Sequence, residues 1–277
     1  MLDLEFTTYG RRWRADLSAP VDLAITLQFP GPQPLFFADE PARGAPLRKA
    51  GFTGTVASGA SCNCSIYTVA PHCHGTHTEC VGHVTQDGAL LAALTPAPPA
   101  LAVLVSVRPE PLGSATATAP AAAYAPADQV ITRAMLAGAA SRWVRDPWTA
   151  LAVRTLPNEP GKRHHHYQGS CPAPYFTTDA MHWVVERGVT SLVVDLPSLD
   201  RADDGGALAA HRVFWGLPAG ALDARQARRG RALVTELAYV PDDVPDGLYL
   251  LDLQVPAFAA DAAPSRPVLY PVTEATP

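Results

Sequence analysis

The chain has 277 residues, 48% of them hydrophobic, enough to bury the core of one large domain or two small ones. A formal net charge of −5 and a pI near 6.0 supply no basic surface for a nucleic-acid partner. The longest apolar run, Leu90 to Val107, is broken by Pro96, Pro98 and Pro99 and is read as no membrane span, and Met1 to Phe6 lacks the basic and apolar regions of a signal peptide. Five cysteines, an odd number in a chain too large to need cross-links, are read as free thiols in a reducing cytoplasm.

Leu2, Leu4 and Phe6 alternate, and Leu23, Ile25, Leu27 and Phe29 alternate again, so the N-terminal third is expected to open with strands, with a turn at Tyr9-Gly10-Arg11. A Pro/Gly-rich connection from Pro30 to Gly54 leads into Ser65-Ile66-Tyr67-Thr68-Val69, a β-branched run that ends at Pro71. Leu101 to Val107 reads as a buried strand, Gly113 to Pro126 as an Ala/Thr/Pro surface linker, and Ile131 to Ala140 as a helix capped by Thr132. Leu151 to Leu156 is a strand, followed by a long loop through His164-His165-His166. Thr178 is expected to cap a helix that turns Met181, Val184 and Val185 inward and stops at Gly188. Thr190 to Asp195 is an apolar strand buried on both faces. Asp195, Ser198 and Asp200 fall just past its C-terminal end, the edge where α/β sheets carry their sites. Tyr249 to Val255 is one more strand. The strand–helix–strand rhythm predicts a mixed α/β fold, and no repeat or long linker divides it, so residues 1–277 are read as a single domain.

Chemistry concentrates in Pro71-His72-Cys73-His74-Gly75-Thr76-His77-Thr78-Glu79-Cys80-Val81-Gly82-His83, which holds four of the nine histidines, two cysteines and a carboxylate. In an extended chain His77 and Glu79 project to one side, as do His72 and His74, whereas a helix would point each pair apart; a metal site therefore requires a strand or loop here. Gly75 is expected to let the backbone turn or approach an ion. Imidazoles and a carboxylate with an open position suit Zn or Mn, and a divalent ion lowers the pKa of bound water from about 15.7 to roughly 7. His83 is the candidate to move the proton. Distant ligands are expected to complete the site, the best being His211, in Ala210-His211-Arg212, and Glu236, which apolar neighbours would leave buried and costly unless it met a cation.

Gly75-Thr76-His77-x-Glu79-x-x-x-His83 resembles the signature His-x-Gly-Thr-His-x-Asp-x-Pro-x-His of the putative cyclase family, which includes bacterial kynurenine formamidase and isatin hydrolase. Leu17 to Leu23, Val194 to Asp200 leading to His211, and Val234-Thr235-Glu236-Leu237 also look familial, so the similarity covers most of the chain. The resemblance implies a swivelling β/β/α fold with a mixed sheet and flanking helices, and metal-dependent hydrolysis of a C–N bond in a small amide, formamide or cyclic imide. It further implies a homodimer or larger assembly. It maps metal ligands to His77, Glu79, His211 and Glu236, with His83 as ligand or general base. The alternatives are a cyclase or dehydratase using the same ion as Lewis acid, and a non-catalytic metal- or ligand-binding protein.

The chain departs from the signature at three positions. Glu79 is one methylene longer than aspartate, Val81 replaces proline, and Cys73 stands where the signature has histidine. Either Cys73 is a thiolate ligand or a one-residue bulge brings His72 into the role; His72 is favoured. The long interval from His211 to Glu236 suggests an inserted loop, with Phe214, Trp215 and Ala221 to Gly230, placed over the pocket.

The remaining clusters have plainer readings. Cys62, Cys64 and Cys80 are expected to be small buried side chains, since their spacing fits no zinc knuckle or ribbon. His164-His165-His166 is read as solvated or near the pocket mouth, His182 as a surface or packing residue and Trp183 as core. Tyr175, Phe176, Phe214 and Trp215 are equally suited to lining a pocket or filling the core. Asp195 is read as a strand end and Asp200-Arg201 as an ion pair.

Overall fold

Strand alternation at the N-terminus yields a hairpin of β1 (Asp3–Thr8) and β2 (Arg11–Asp16). Its two-residue loop, Tyr9 (φ 51°) and Gly10 (φ 76°), has both residues in the left-handed region, as the twist of a tight hairpin demands. The structure, a computed structural model, describes residues 2–86, 88–114, 125–167 and 173–275; the expected surface linker lies for the most part outside the described residues. The second alternating stretch makes less strand than expected. Only Val21–Asp22 (β3) is a strand, although Leu23 and Ile25 are buried and the chain continues as an isolated bridge, Ala24 to Ala238.

Among the described residues, eight further strands complete the main sheet: β4 (His77–Glu79), β5 (Ala100–Val107), β6 (Ala150–Thr155), β7 (Ser191–Val194), β8 (Leu233–Glu236), β9 (Gly247–Gln254), β10 (Ala262–Pro264) and β11 (Arg266–Glu274). Their order is β1-β2-β11-β9-β5-β6-β7-β8-β4-β10, with β3 on β11. β5 to β8 run parallel; β4 and β9 flank them antiparallel. The α-helices are α1 (Pro71–His74), α2 (Arg133–Ala139), α3 (Thr178–Glu186) and α4 (Ala209–Trp215). The last three lie in the crossovers between successive parallel strands, as parallel pairing requires. β10 and β11 were not anticipated, because Pro264, Pro267 and Pro271 interrupt the pattern that marks a strand.

The parallel strands are buried on both faces, and the period of two divides their side chains between two cores. Val103 and Val105 of β5, Leu151 and Val153 of β6, and Leu192 and Val194 of β7 join Leu136, Met181, Val184 and Phe214 from the helices in one core. Ala102, Leu104, Ala150, Ala152 and Val193 face a second core with Leu23, Tyr249 and Leu251. Each large aliphatic side chain so buried contributes roughly 1.5–3 kcal/mol of transfer free energy.

Thr132 caps α2 as expected, accepting from Met135 N at 3.4 Å. The cap of α3 is Thr177, one residue before the expected Thr178, and accepts from Ala180 N at 3.4 Å. That helix ends before Gly188 (φ 74°), with Met181, Trp183 and Val184 buried and Val185 only half-buried. The connection 30–54 is more structured than expected: Arg43–Pro46 pairs with Ser65–Thr68, and Arg48–Lys49 with Phe52–Thr53. Ser65–Thr68 is exposed along its whole length. No helix among the described residues is long and apolar enough to cross a membrane.

Candidate metal centre

The chemical motif is neither all strand nor all loop. Pro71, with its fixed φ and no N–H to lose, opens the helical turn α1. That turn separates His72 and His74, correcting the expectation that they share a side and that a bulge delivers His72. His74 is buried away from the centre: its Nδ1 accepts from Ala70 N at 2.9 Å, so Nε2 carries the hydrogen and donates to the Glu40 carbonyl at 2.9 Å. Both nitrogens are used, and His74 has none left for an ion. Gly75 (φ 174°) is extended, a conformation any residue adopts; a Cβ there would lie 3.0 Å from Leu27 Cδ2, so the Leu27 side chain would have to give by a few tenths of an ångström. Thr76 Oγ1 then accepts from Ile25 N at 2.8 Å and donates to the Leu237 carbonyl at 2.5 Å.

From there β4 alternates as expected. His77 and Glu79 share one face, while Thr78 on the other bonds Thr235 Oγ1 at 2.7 Å. β8 lies alongside in a register that sets Glu236 opposite His77, with His77 Nε2 3.4 Å from Glu236 Oε2. His211 reaches the same point from α4, its Nε2 3.0 Å from Glu79 Oε1 and 3.4 Å from Glu236 Oε1. His72 Nδ1 is 3.1 Å from Glu79 Oε2, and His83 Nδ1 is 3.8 Å from it. His72 and His83 stack with centroids 4.3 Å apart. All six side chains named from the sequence therefore meet at one place, whereas Cys73 lines the adjoining cavity and belongs to none of the candidate ligand groups.

The buried atoms there are the informative ones. His77 Nε2, His211 Nε2 and both carboxylate oxygens of Glu79 are inaccessible to solvent and have no aligned hydrogen bond among the described residues. Such groups are costly in a protein interior unless something pairs with them. Meanwhile His77 Nδ1 is engaged by the Gly75 carbonyl at 2.9 Å and His211 Nδ1 by Asp200 at 2.7 Å, which points each Nε2 inward as the atom that would bind an ion on giving up its proton. A divalent cation fits this donor set of imidazole nitrogen and carboxylate oxygen.

Electrostatics agree. Burial disfavours the ionised form of Glu79, yet the imidazoles of His83, His211 and His72 outweigh it and hold the carboxyl well below its ordinary range. Burial and the Glu79 charge oppose ionisation of Glu236, but His211 and His77 prevail and lower it too. Burial likewise disfavours the imidazolium of His72, but the bond to Asp261 and the nearby Glu79 carboxylate push its pKa up to about 10. His211 is raised well above its usual value against the cost of burial by Glu79, Asp200 and Glu236. The carboxylates and the imidazoles thus each favour the other's charged form, and a cation bound among them would take the place of imidazole protons.

Two contributors were missed or misread. Asp200 does not pair with Arg201, which bonds Asp128 at 2.8 Å. It caps α4 instead, accepting from Ala210 N at 2.7 Å and His211 N at 3.1 Å while holding the His211 ring. Asp261 bonds His72 Nε2 at 2.9 Å, and a lone acid in the run Ala259-Ala260-Asp261-Ala262-Ala263 was its only sequence signal. Asp195 is more than a strand end: fully buried, it pairs with Lys162 Nζ at 2.8 Å.

A cavity of about 430 Å³ opens onto His72, His83 and Glu236, walled by Phe36, Phe37, Pro197, Ser198, Leu208 and the segment 201–206. The expected lid is elsewhere. Ala221 and its neighbours line a separate surface depression with Gln86. Phe214 and Trp215 are fully buried in the core, Trp215 tilted against the His211 ring at 5.5 Å, and Tyr175 and Phe176 are core as well. Cys80 is buried, but Cys62 is exposed and Cys64 half-buried, contrary to expectation. His164 to His166 are exposed; His164 lines a different cavity with Arg163 and Tyr239.

The sequence profile of the family described as Putative cyclase matches residues 15–201. A search of curated proteins finds no match. Among solved structures, a predicted metal-dependent hydrolase from Bacillus stearothermophilus is similar at 15% identity and TM-score 0.55, over 91% of this chain and 98% of that one. Isatin hydrolase A from Labrenzia aggregata, bound to benzyl benzoate, is similar at 15% identity and TM-score 0.58, over 91% and 93%. Isatin hydrolase A from Ralstonia solanacearum is similar at 16% identity and TM-score 0.58, over 92% of each chain. At these identities the likeness is one of fold: mixed α/β, with one large mixed sheet and few helices.

Proposed function

Because the chain belongs to the putative cyclase family, we propose that it is a metal-dependent hydrolase cleaving a C–N bond of a small amide, formamide or cyclic imide. The observation that carries the reading is the set of four buried, unbonded donor atoms on His77, Glu79 and His211 pointing at one another. His77, Glu79, His211 and Glu236 would hold the ion, zinc or manganese, with His72 completing the set from the cavity side. When bound, that ion acidifies a water molecule and polarises a carbonyl.

The chain's own groups do the rest. Glu236, fixed by Leu199 N at 2.9 Å, keeps one edge of its carboxylate on His77 and the other on His211. His83, half-buried at the cavity wall and bonded to no carboxylate within hydrogen-bond reach, takes a proton from the attacking water and returns it to the leaving nitrogen. Phe36, Phe37 and Leu208 receive the apolar part of the substrate and exclude solvent from the reacting bond. The four described cysteines are free thiols, in keeping with a cytoplasmic location, and assembly as a homodimer or larger follows the resemblance.

Elemental analysis of protein purified without chelator, followed by assay on an N-formyl aryl amine and a panel of amides and cyclic imides, tests the reading. Bound metal with hydrolysis of at least one member is the expected result. Full metal occupancy without turnover of any member would instead favour a non-catalytic binding protein, and failure to take up zinc or manganese would remove the basis of the proposal.

A further inference from the structure

Of the four imidazoles at the centre, His72, His77 and His211 are each held by an oxygen on the outward nitrogen. The Gly75 carbonyl holds His77 and the Asp200 carboxylate holds His211, both through Nδ1, so Nε2 is the inward atom. For His72 the arrangement is reversed: Asp261 bonds Nε2 at 2.9 Å and Nδ1 is inward, 3.1 Å from Glu79 Oε2. We propose that Asp261 is the positioning residue that makes His72 an Nδ1 donor to the metal, in the role left open by Cys73. This rests on the metal-dependent reading above and adds to it the atom and the partner.

The local chain explains why the reversal works. α1 presents His72 one residue earlier than a histidine at position 73 would stand, so its ring enters from about 100° around the same turn. Nδ1 is the ring nitrogen nearer the main chain, and Glu79, longer by a methylene than an aspartate, carries its carboxylate toward it. Asp261 is placed by the sheet: β10 begins at Ala262, which pairs with Glu79, and Cys80 N donates to the Asp261 carbonyl at 3.0 Å. Gly82 permits this approach, since a Cβ there would collide with the Ala89 carbonyl and lie 3.2 Å from Asp261 Cβ. Asp261 is 3.8 Å from His83 Nδ1, beyond hydrogen-bond reach, so its bond is to His72 alone of the two. Its side chain is 41% exposed, so truncating it opens no cavity in the core.

The test uses the full chain and the variants D261A, D261N, H72A and H72A/D261A. Zinc affinity is measured by chelator competition, and ring metallation by nitrogen-15 NMR of labelled histidine, which separates Nδ1 from Nε2 coordination. D261A is expected to weaken zinc about 10–100-fold, as loss of a ligand's outer hydrogen-bond partner does. D261N, whose amide oxygen still accepts from Nε2–H, should recover most of it. In the H72A background D261A should cost nothing further, and the zinc-loaded protein should show one ring metallated through Nδ1. Unchanged affinity in D261A, the same loss with and without His72, or only Nε2 metallation overturns the inference. The metal-dependent reading survives those results if H77A abolishes zinc binding; a wild-type chain that binds no zinc or manganese sinks both.

Discussion

His77 and Glu236 are register partners on adjacent antiparallel strands, and the pairing leaves the Nε2 of one 3.4 Å from the Oε2 of the other. Directly opposed residues on one sheet face have Cβ atoms about 5 Å apart, so backbone pairing alone brings these two groups into range. Neither side chain has to search. Both residues are mounted on paired strands of the main sheet, so the backbone register fixes where each side chain starts.

His77→Ala should therefore cost metal affinity more than any outer substitution, by at least about a hundredfold, because outer partners alone are worth 10–100-fold. Glu236→Gln keeps the acceptor for Leu199 N and should preserve the fold, yet still lose at least about tenfold in affinity. Chelator competition with circular dichroism checks both; retained affinity in either variant removes that residue from the site.

Metal should stabilise the chain strongly. Binding to the folded state alone contributes about 4 kcal/mol when free ion exceeds Kd about a thousandfold. Stripping metal with chelator should lower Tm by several degrees, and re-adding zinc or manganese should restore it. A melting curve indifferent to both would mean that the buried donors of His77, Glu79 and His211 are satisfied in some other way.

His83→Ala separates proton transfer from metal binding. A general acid–base group contributes about 10²–10⁴-fold to rate, so kcat should fall by that order with metal content unchanged. If His83→Ala instead loses its metal, the residue is a ligand, consistent with its place in a group with Glu79 and His211.

Away from the centre, Lys162→Met leaves the fully buried Asp195 without its cation and should cost about 3–5 kcal/mol in urea unfolding. Burial raises the Asp195 carboxyl above its usual range even against Lys162 and Thr155. A raised carboxyl favours the folded state when protonated and loses that contribution as pH rises through its folded pKa. The deficit of Lys162→Met relative to the parent should therefore shrink as pH falls. A deficit constant with pH would mean that Asp195 is not the group left exposed.

The sequence was a good guide wherever one short segment carries its own pattern. Apolar runs at 101–107, 151–156 and 190–195 marked the central strands because a strand buried on both faces can only be apolar. Thr132 and Gly188 marked helix ends because their chemistry is local. The same density of donors marked residues 72–83. Local patterns misled where two readings had similar local cost: Pro71 turned an expected extended segment into α1, and prolines hid β10 and β11.

What composition and pattern determined unaided was the set of donors and the class of sheet, since both depend on residue type and nearest neighbours. Which nitrogen of each imidazole faces inward, that Asp200 and Asp261 hold two of those rings, and that the cavity wall comes from residues 36–37 and 197–208 were decided only by tertiary structure. These depend on the register of β4 with β8 and β10, which follows from packing the entire sheet and is written in no single stretch of chain.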